Sequence, residues 1–571
     1  MMRLHRPATR IRLGVAGSAL SLLLGSGALT LGAVVTQVAT APGAAALGNG
    51  LALTPPMGWN SWNRFGCSIT EAKVKAVADA IVSKGLKDLG YTYVTVDDCW
   101  MGSARDVDGN LVADAVKFPS GMKALGDYLH GKGLKFGLYE SPTEGTCQHR
   151  PGSYGHETAD AASFAAWGVD YLKYDWCQTS TTESPNMWAD FPGFTEKQLA
   201  QALFPRMRDA LAATKRPIAY SLSNCCAALD LPSWAGPVAN LWRTSTDITD
   251  SWSSVLYNFG RAAAIPAAAK PGQWNDPDML EVGNGGMTDA EYRSHFSLWA
   301  QLAAPLIMGN DVSAATTATL AVLGRTDVIA VDQDSAGKQG TVVSDSGGLL
   351  VMSKVLANGD RSVTLTNKNA STATISTSAN AVGIGGAATY TLKDLWAGTS
   401  TTNTTGVISA QVPSHGTVMY RVTGTGTATS PIVSGGVYEI ATGTTQAVDV
   451  PNSSTSANTQ LITWAWHNSA NQKWTLTANG DGSYQMKNIN SGLCADVRGG
   501  ATTAGTAVIQ YGCHTGDNQK WLPVSSGGGY QLIGKGSNLA LTTASTTSGA
   551  VLTQESATGT PNQTWTFTKV D

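Results

Sequence analysis

The chain has 571 residues, 42% of them hydrophobic and 14% charged, which is too long for one ordinary domain and apolar enough for several cores. Its net charge of −3, with both signs mixed and no basic run, argues against nucleic acid or an anionic membrane as the partner. The 17 tryptophans favour a ligand with apolar C–H faces that stack on indole rings, as sugars do.

Residues 1–46 read as an export signal: Arg3, Arg6, Arg10 and Arg12, then an uncharged Leu/Ala/Gly-rich stretch, then the small-residue cleavage site Ala44-Ala45-Ala46. An uncleaved anchor is the alternative, against which Gly, Ser and Thr interruptions count. The mature protein is therefore expected to be secreted and free of the membrane. Eight cysteines in an exported chain suggest disulfides, and none has the paired C-x-x-C spacing of a zinc site, so no structural metal and no cofactor are expected.

From Leu51 to about Gln333, β-rich runs alternate with helical stretches. Candidate strands are Met57 to Trp62, Tyr91 to Asp98, Leu134 to Ser141, Asp170 to Cys177, Pro217 to Asn224, Asn240 to Thr246, Gly272 to Met279 and Pro305 to Asp311. Ser68 with Glu71 reads as a capping box opening the first helix, Ala72 to Leu89. Eight such units predict a (β/α)8 barrel over 47–335, whose active sites form at the strand C-terminal ends; a doubly wound sheet is the alternative. The unusual residues fall at those ends: Trp59 and Trp62, Asp97 and Asp98, Tyr139 and Glu140, Lys173 and Asp175, Arg243 and Asp247, Asp276 and Asp278. Any one of them alone reads equally as a helix cap or turn residue. Lys173 and Asp175 are two apart on a strand and share a face, so the ammonium favours an ionised carboxylate, as a nucleophile requires. A surface ion pair is the plain alternative for Lys-x-Asp taken by itself.

Residues 336–423 alternate Val, Thr, Leu and Ser with turns such as Asn358-Gly359-Asp360, which predicts an antiparallel β-sandwich domain packed on the barrel. Residues 424–435 have the composition of a linker. In 436–571, Asn471-Gln472-Lys473-Trp474, Asn518-Gln519-Lys520-Trp521 and Asn562-Gln563-Thr564-Trp565 recur at steps of 47 and 44 residues, implying threefold pseudo-symmetry. The Gln-x-Trp signature resembles the ricin-type β-trefoil, a carbohydrate-binding module. The resemblance implies sugar pockets at Asp449, Trp464 and Asn471 in the first repeat and at Asp496, Tyr511, His514 and Asn518 in the second. The third repeat has Thr542 in place of the Asp and Glu555 in place of the aromatic, so its pocket is expected to be empty.

Two uses remain for the barrel carboxylates. A metal site would want histidines or several carboxylates at defined spacing, but the barrel has only His130, His149, His156 and His295, none at a strand end. Two carboxylates flanking a glycosidic bond need neither metal nor cofactor: one attacks the anomeric carbon and the other protonates the leaving oxygen. Asp175 suits the first role. Asp247 suits the second, because Leu241-Trp242-Arg243 offers an apolar wall to raise its pKa and a cation to orient it.

Met57-Gly58-Trp59-Asn60-Ser61-Trp62, Val96-Asp97-Asp98-Cys99-Trp100, Lys173-Tyr174-Asp175, Trp242-Arg243 with Asp247, and Trp274-Asn275-Asp276-Pro277-Asp278-Met279 together resemble glycoside hydrolase family 27, the α-galactosidase and α-N-acetylgalactosaminidase family. The match runs from about Leu51 to Thr423. It implies retaining catalysis, with Asp175 as nucleophile and Asp247 as acid/base, and it assigns Trp62, Asp97, Asp98, Tyr139, Lys173, Arg243 and Asp278 to hold the terminal sugar. Paired carboxylates accept hydrogen bonds from the galactose 4- and 6-hydroxyls, and a glucose would leave a buried oxygen unpaired at about 1–3 kcal/mol. The resemblance also implies Cys67–Cys99, Cys147–Cys177 and Cys494–Cys513 bridges, leaving Cys225 and Cys226 as a vicinal disulfide or free thiols.

The chain departs from the family after the fifth strand, where a Cys-Glu-Trp-like run is replaced by Tyr220-Ser221-Leu222-Ser223-Asn224. Ser223 and Asn224 are therefore the candidate readers of the sugar 2-position. The partner expected is a galactose-containing oligo- or polysaccharide, cleaved as an α-galactoside; a β-L-arabinopyranoside or an α-N-acetylgalactosaminide on the same scaffold is the alternative. A non-catalytic lectin would have lost Asp175 or Asp247, and both are present.

Overall fold

A computed structural model describes residues 47–224, 229–426, 432–442, 446–526 and 529–571. The expected export signal at 1–46, Cys225 and Cys226, and residues 427–431 of the expected linker lie outside the described residues.

Among the described residues, strands β1 (Met57–Asn60), β2 (Tyr93–Val96), β3 (Lys135–Glu140), β4 (Val169–Trp176), β5 (Ala219–Asn224), β6 (Leu241–Arg243), β7 (Trp274–Asp276) and β8 (Leu306–Met308) form one parallel sheet in the order β7-β6-β5-β4-β3-β2-β1-β8. The circle closes just past β7, where Leu280 bridges Met308 in parallel and donates its N–H to the Ile307 carbonyl at 2.7 Å. Sequential order with closure is the barrel; a doubly wound sheet would reverse direction partway and leave two open edges. Several ladders stop short of the expected strand ends because carboxylates there capture the next amides. Asp97 accepts Asp98 N–H (2.9 Å), Asp98 accepts Cys99 N–H (2.6 Å) and Asp278 accepts Met279 N–H (2.8 Å).

The first helix corrects the expectation. It runs Glu71–Ser83, and Thr70, not Ser68, caps it, accepting Lys73 N–H at 3.4 Å. Ser68 ends a separate 3₁₀ turn, Gly66–Ser68. Glu71 opens the helix and directs its carboxylate to Lys75 (2.5 Å) and Ser120 N–H (3.1 Å), so it is not free to complete a capping box. The helix stops well before Leu89 because Gly85 takes a left-handed φ of 75°.

Residues Thr341–Thr425 form a six-stranded antiparallel sheet facing a two-stranded pair, Ala373–Ser378 with Val407–Val412, around a core that includes Val363, Leu365, Ile408 and Val422. Lys354 of this sandwich reaches into the barrel, donating to the carbonyls of Ala300 (2.9 Å) and Val331 (2.7 Å).

The last twelve strands, Val437–Lys569, make one closed sheet system with the expected threefold repetition. Trp474, Trp521 and Trp565 are fully buried, and their indoles donate to Val448, Ala495 and Leu541 carbonyls at 2.9, 3.2 and 3.0 Å. Each preceding Gln accepts an equivalent amide, from His467 (2.8 Å), His514 (2.9 Å) and Thr558 (2.7 Å). The Gln-x-Trp pattern thus marks a core-building device in every repeat. All three implied disulfides form, with Cα separations of 5.2, 4.9 and 5.1 Å.

Candidate active site

Alternation along β4 turns Tyr171, Lys173 and Asp175 into the barrel. Lys173 lies over the Tyr139 ring, 5.1 Å from its centroid. Its nearest carboxylate is Asp97 on β2's end, at 2.8 Å; Asp175 is 4.0 Å away. The expected Lys173–Asp175 pair is therefore one arm of a three-residue cluster. Burial works against the ammonium, but Asp97, Asp175 and Asp247 outweigh it and hold Lys173 above its ordinary pKa. Asp175 is 9% exposed and accepts Trp176 N–H at 3.0 Å. Burial pushes its carboxyl above the ordinary aspartate value, with Lys173 opposing and Asp247 and Asp97 adding to the rise. The cation stabilises the charged form as expected, yet desolvation wins. The Cys147–Cys177 disulfide lies against Asp175, with Cys147 Sγ 3.9 Å from Oδ2, and Tyr139 Oη is 3.5 Å from Cys177 Sγ.

Asp97 and Asp98 are each 1% exposed. Asp97 accepts from Asn60 Nδ2 (2.7 Å) as well as Lys173, and its own amide is received by Ser61 Oγ (3.0 Å). Asp98 accepts from Thr146 Oγ1 (3.0 Å) and Gln148 N–H (2.9 Å), so the loop bearing Cys147 is tied to β2's end; burial raises its pKa. Asn60 and Ser61 lie within the Trp59-Asn60-Ser61-Trp62 stretch, in which sequence reading gave a role to Trp62 alone. Thr146 and Gln148 carry no sequence signal beyond flanking a cysteine.

Arg243 at the end of β6 is 3% exposed and joins two carboxylates, Asp247 at 2.9 Å and Asp278 at 3.0 Å. It also reaches Ser223 Oγ at 3.4 Å, which places β5's end beside it. Asn224 is 5% exposed and shares a cavity wall with Arg243. Asp278 takes φ +83° in a turn held by Asp276, which accepts Asp278 N–H at 2.8 Å, and it accepts Ile248 N–H at 2.8 Å. Burial raises Asp278 and lifts Asp276 to about 6, with Arg243 opposing in both.

Asp247 departs from expectation. Its side chain is 61% exposed, and although burial of its surroundings pulls the pKa up, the Arg243 ion pair and Lys173 outweigh this and leave it below the ordinary value. The expected apolar wall is absent because Trp242, adjacent on the strand to Arg243, points to the opposite face and donates to Asn275 Oδ1 at 3.1 Å. Two other strand-end residues also stay out of the mouth. Trp59 is fully buried, donating to Asn310 carbonyl at 2.7 Å, and Glu140 is fully buried against Ser141 N–H, its carboxyl pushed far up by burial. Trp62 does reach the mouth, lining with Asp247 an open cleft of about 580 Å³.

In the trefoil, Asp449 accepts Asn471 Nδ2 at 2.9 Å, and Trp464 on the neighbouring strand is 44% exposed. Asp496 accepts Asn518 Nδ2 (2.8 Å) and Gln519 Nε2 (2.8 Å) near Tyr511, 43% exposed. His514 Nε2 is 3.4 Å from Asp496, and His467 Nε2 is 3.7 Å from Asp449. His467 was missed by sequence reading, although the 47-residue step sets it in register with His514. In the third repeat the Thr542 hydroxyl turns inward to Ala540 carbonyl (2.9 Å) and receives Gln563 Nε2 (3.1 Å), with no carboxylate at that position.

Residues 54–334 match the family described as alpha galactosidase A, residues 346–422 the alpha galactosidase C-terminal beta sandwich domain, and residues 421–511 and 476–555 the ricin-type beta-trefoil lectin domain-like family. The chain is 45% identical over 377 residues to an alpha-galactosidase of Cyamopsis tetragonoloba, covering 66% of this chain and 87% of that one. It is 47% identical over 378 residues to an alpha-galactosidase of Coffea arabica, covering 66% and 96%. Among solved structures, alpha-galactosidase I from Mortierella vinacea superposes with a TM-score of 0.62 at 35% identity, covering 67% of this chain and all (100%) of that one.

Proposed function

Because the chain belongs to the α-galactosidase family, we propose that it removes terminal α-D-galactosyl residues from oligo- or polysaccharides with retention of configuration, through Asp175 and Asp247. The observation that carries the reading is the contrast between two carboxylates at one barrel mouth, Asp175 buried beneath it and Asp247 facing the open cleft. A nucleophile belongs under the sugar ring, and an acid/base belongs where the leaving group exits. Asp175 attacks the anomeric carbon as its bond to the leaving oxygen breaks, and Asp247 gives that oxygen a proton. Water then gives a proton to Asp247 and displaces Asp175, restoring the original configuration.

Trp62, Asp97, Asp98, Tyr139, Lys173, Arg243 and Asp278 hold the terminal sugar in this reading. Ser223 and Asn224 read its 2-position. Initial rates on nitrophenyl α-galactoside, α-N-acetylgalactosaminide and β-L-arabinopyranoside test the substrate, with at least about tenfold preference for the first expected from hydroxyl-reading groups. Preference for either of the others would overturn it and assign the altered β5 end, or the fit around O6, to a different sugar.

The pKa directions give a second test. Free enzyme must hold Asp175 ionised and Asp247 protonated, yet burial raises the first and Arg243 lowers the second. Asp175 therefore gains its charge at a higher pH than an ordinary aspartate, and Asp247 gains its proton at a lower one. The kcat/KM profile is therefore bell-shaped with a maximum on the acid side of neutral. A maximum of kcat/KM at or above pH 7 would contradict this.

The division into a 1–46 signal, a 47–335 catalytic barrel, a 336–423 sandwich, a 424–435 linker and a 436–571 carbohydrate-binding trefoil belongs to the same proposal, as does secretion. No helix among the described residues is long and apolar enough to cross a membrane. With two occupied trefoil sites, Asp449→Ala or Asp496→Ala each lowers avidity for an immobilised galactose-containing polysaccharide by about 10²-fold, while the other site keeps its affinity for free sugar. Binding of the double variant equal to wild type would place the sugar elsewhere.

A further inference from the structure

A cavity of about 330 Å³ lies on the seam between barrel and sandwich, with Arg293, Arg325, Asp394, Trp396 and Thr417 in its wall. Its size falls in the range of ligand sites, ~300–1,000 Å³, and none of these residues stands at a barrel strand end. The Trp396 ring is fixed from the barrel side: its indole N–H donates to Ser297 Oγ at 2.9 Å, and Phe296 meets it edge-on at 6.4 Å between centroids. Arg293, one helical turn before Ser297, is exposed and lays its guanidinium over that ring, 5.8 Å from the centroid. Stacking engages the flat face of a guanidinium and leaves its in-plane N–H groups for a ligand. Among the described residues no carboxylate reaches ion-pair distance of Arg293. Arg325 donates Nε–H to the Leu395 carbonyl at 2.5 Å; the carboxylate it approaches, Asp327, is 3.8 Å away and already holds Lys393 at 2.8 Å. Asp394, the acid in the wall, has Oδ1 engaged by two backbone amides, Trp396 N–H at 2.8 Å and Ala397 N–H at 2.9 Å. It builds the turn that presents Trp396.

We propose that this cavity binds an acidic sugar, the uronic acid residue of a polysaccharide, with Arg293 and Arg325 receiving its carboxylate. Two guanidinium groups face one carboxylate whose oxygen is already engaged, so the wall favours an anion. Their planar forks match the two oxygens of a carboxylate. Trp396 supplies apolar surface for the ring that carries it. The trefoil pockets have the opposite preference, because Asp449 and Asp496 repel a carboxylate and accept from neutral hydroxyls. The seam and the trefoil therefore take different parts of one polymer, the uronate and the neutral galactosyl residue. This site is independent of the reaction assigned to the barrel mouth.

The test measures binding of digalacturonate to the full chain by titration calorimetry at low ionic strength, beside its dimethyl ester and acetate. The acid binds, the ester binds at least about tenfold more weakly, and added salt weakens the acid alone. Acetate, which lacks the ring, binds at least tenfold more weakly than the acid. Arg293→Gln lowers affinity for digalacturonate at least about tenfold, with an unfolding temperature and a rate on nitrophenyl α-galactoside equal to wild type. Equal binding of acid and ester, equal affinity in Arg293→Gln and wild type, or no binding of the acid would overturn the proposal. Acetate binding as tightly as digalacturonate would reduce the cavity to a simple anion site and overturn the sugar assignment. Wild-type protein inert on the nitrophenyl substrate would overturn the galactosidase reading and leave these binding outcomes to decide the seam.

Discussion

Asp175→Asn lowers turnover of nitrophenyl α-galactoside by at least about 10⁴-fold, within the range seen when a hydrolase loses its covalent nucleophile, while sugar binding persists. The amide keeps the shape and still accepts Trp176 N–H, the contact that now holds the carboxylate at 3.0 Å. It cannot form the glycosyl ester. Binding is expected to survive because the groups assigned to the sugar are anchored independently: Asp97 by Asn60 and Lys173, Asp98 by Thr146 and Gln148, Arg243 by Asp278. In Asp175→Ala, azide takes the vacated space and gives the β-galactosyl azide, one inversion instead of two. Turnover within tenfold of wild type in Asp175→Asn would remove Asp175 from the mechanism.

Asp247→Ala separates the two half-reactions. Loss of a general acid/base costs about 10²–10⁴-fold, and the full loss is expected on raffinose, whose departing alkoxide needs a proton. Nitrophenolate needs little help, so with that substrate the covalent intermediate accumulates, KM falls, and hydrolysis of the intermediate limits the rate. Azide, which needs no base, restores turnover and yields the α-galactosyl azide. Opposite azide anomers from the two variants assign the two roles in a way that rates alone do not. Equal losses on both substrates, with no azide product, would contradict the acid/base assignment.

The barrel was legible because its signals are local. Each strand is an apolar run that ends in residues too polar to bury without a purpose, and the eight runs recur in order. The trefoil was legible through self-similarity, and the Gln-x-Trp motif proved to be the hydrogen-bonded core of each repeat. What the sequence hid depends on which side chain meets which across the barrel. Lys173 points at a carboxylate from its own strand by spacing, yet its closest partner, Asp97, is 76 positions away on another strand end. Asp247 looked destined for an apolar setting because Trp242 is near in sequence, but strand alternation turns the indole away and gives Asp247 to Arg243 and solvent. Ser68 and Glu71 matched a capping pattern, and Thr70, one residue before the helix, took the role. Glu281, which lines the open cleft with Trp62 and Asp247, carries no motif at all. Its place in the cleft follows from the turn after β7, and its carboxyl, pushed by burial to about 7 against the opposing Asn284 and Asn63 hydrogen bonds, is visible only once that turn is folded.

The central claim is a covalent galactosyl ester on Asp175. A fluorinated galactosyl fluoride, which forms that ester readily and releases it slowly, is incubated with the protein, which is then digested and sequenced by mass spectrometry. The expected result is one glycosyl unit per chain on the peptide spanning Val169–Trp176, localised to Asp175, with the α-anomer as the first product of ordinary turnover. A label on Asp97, Asp98 or Asp278, or no label together with a β-anomer as first product, would contradict it.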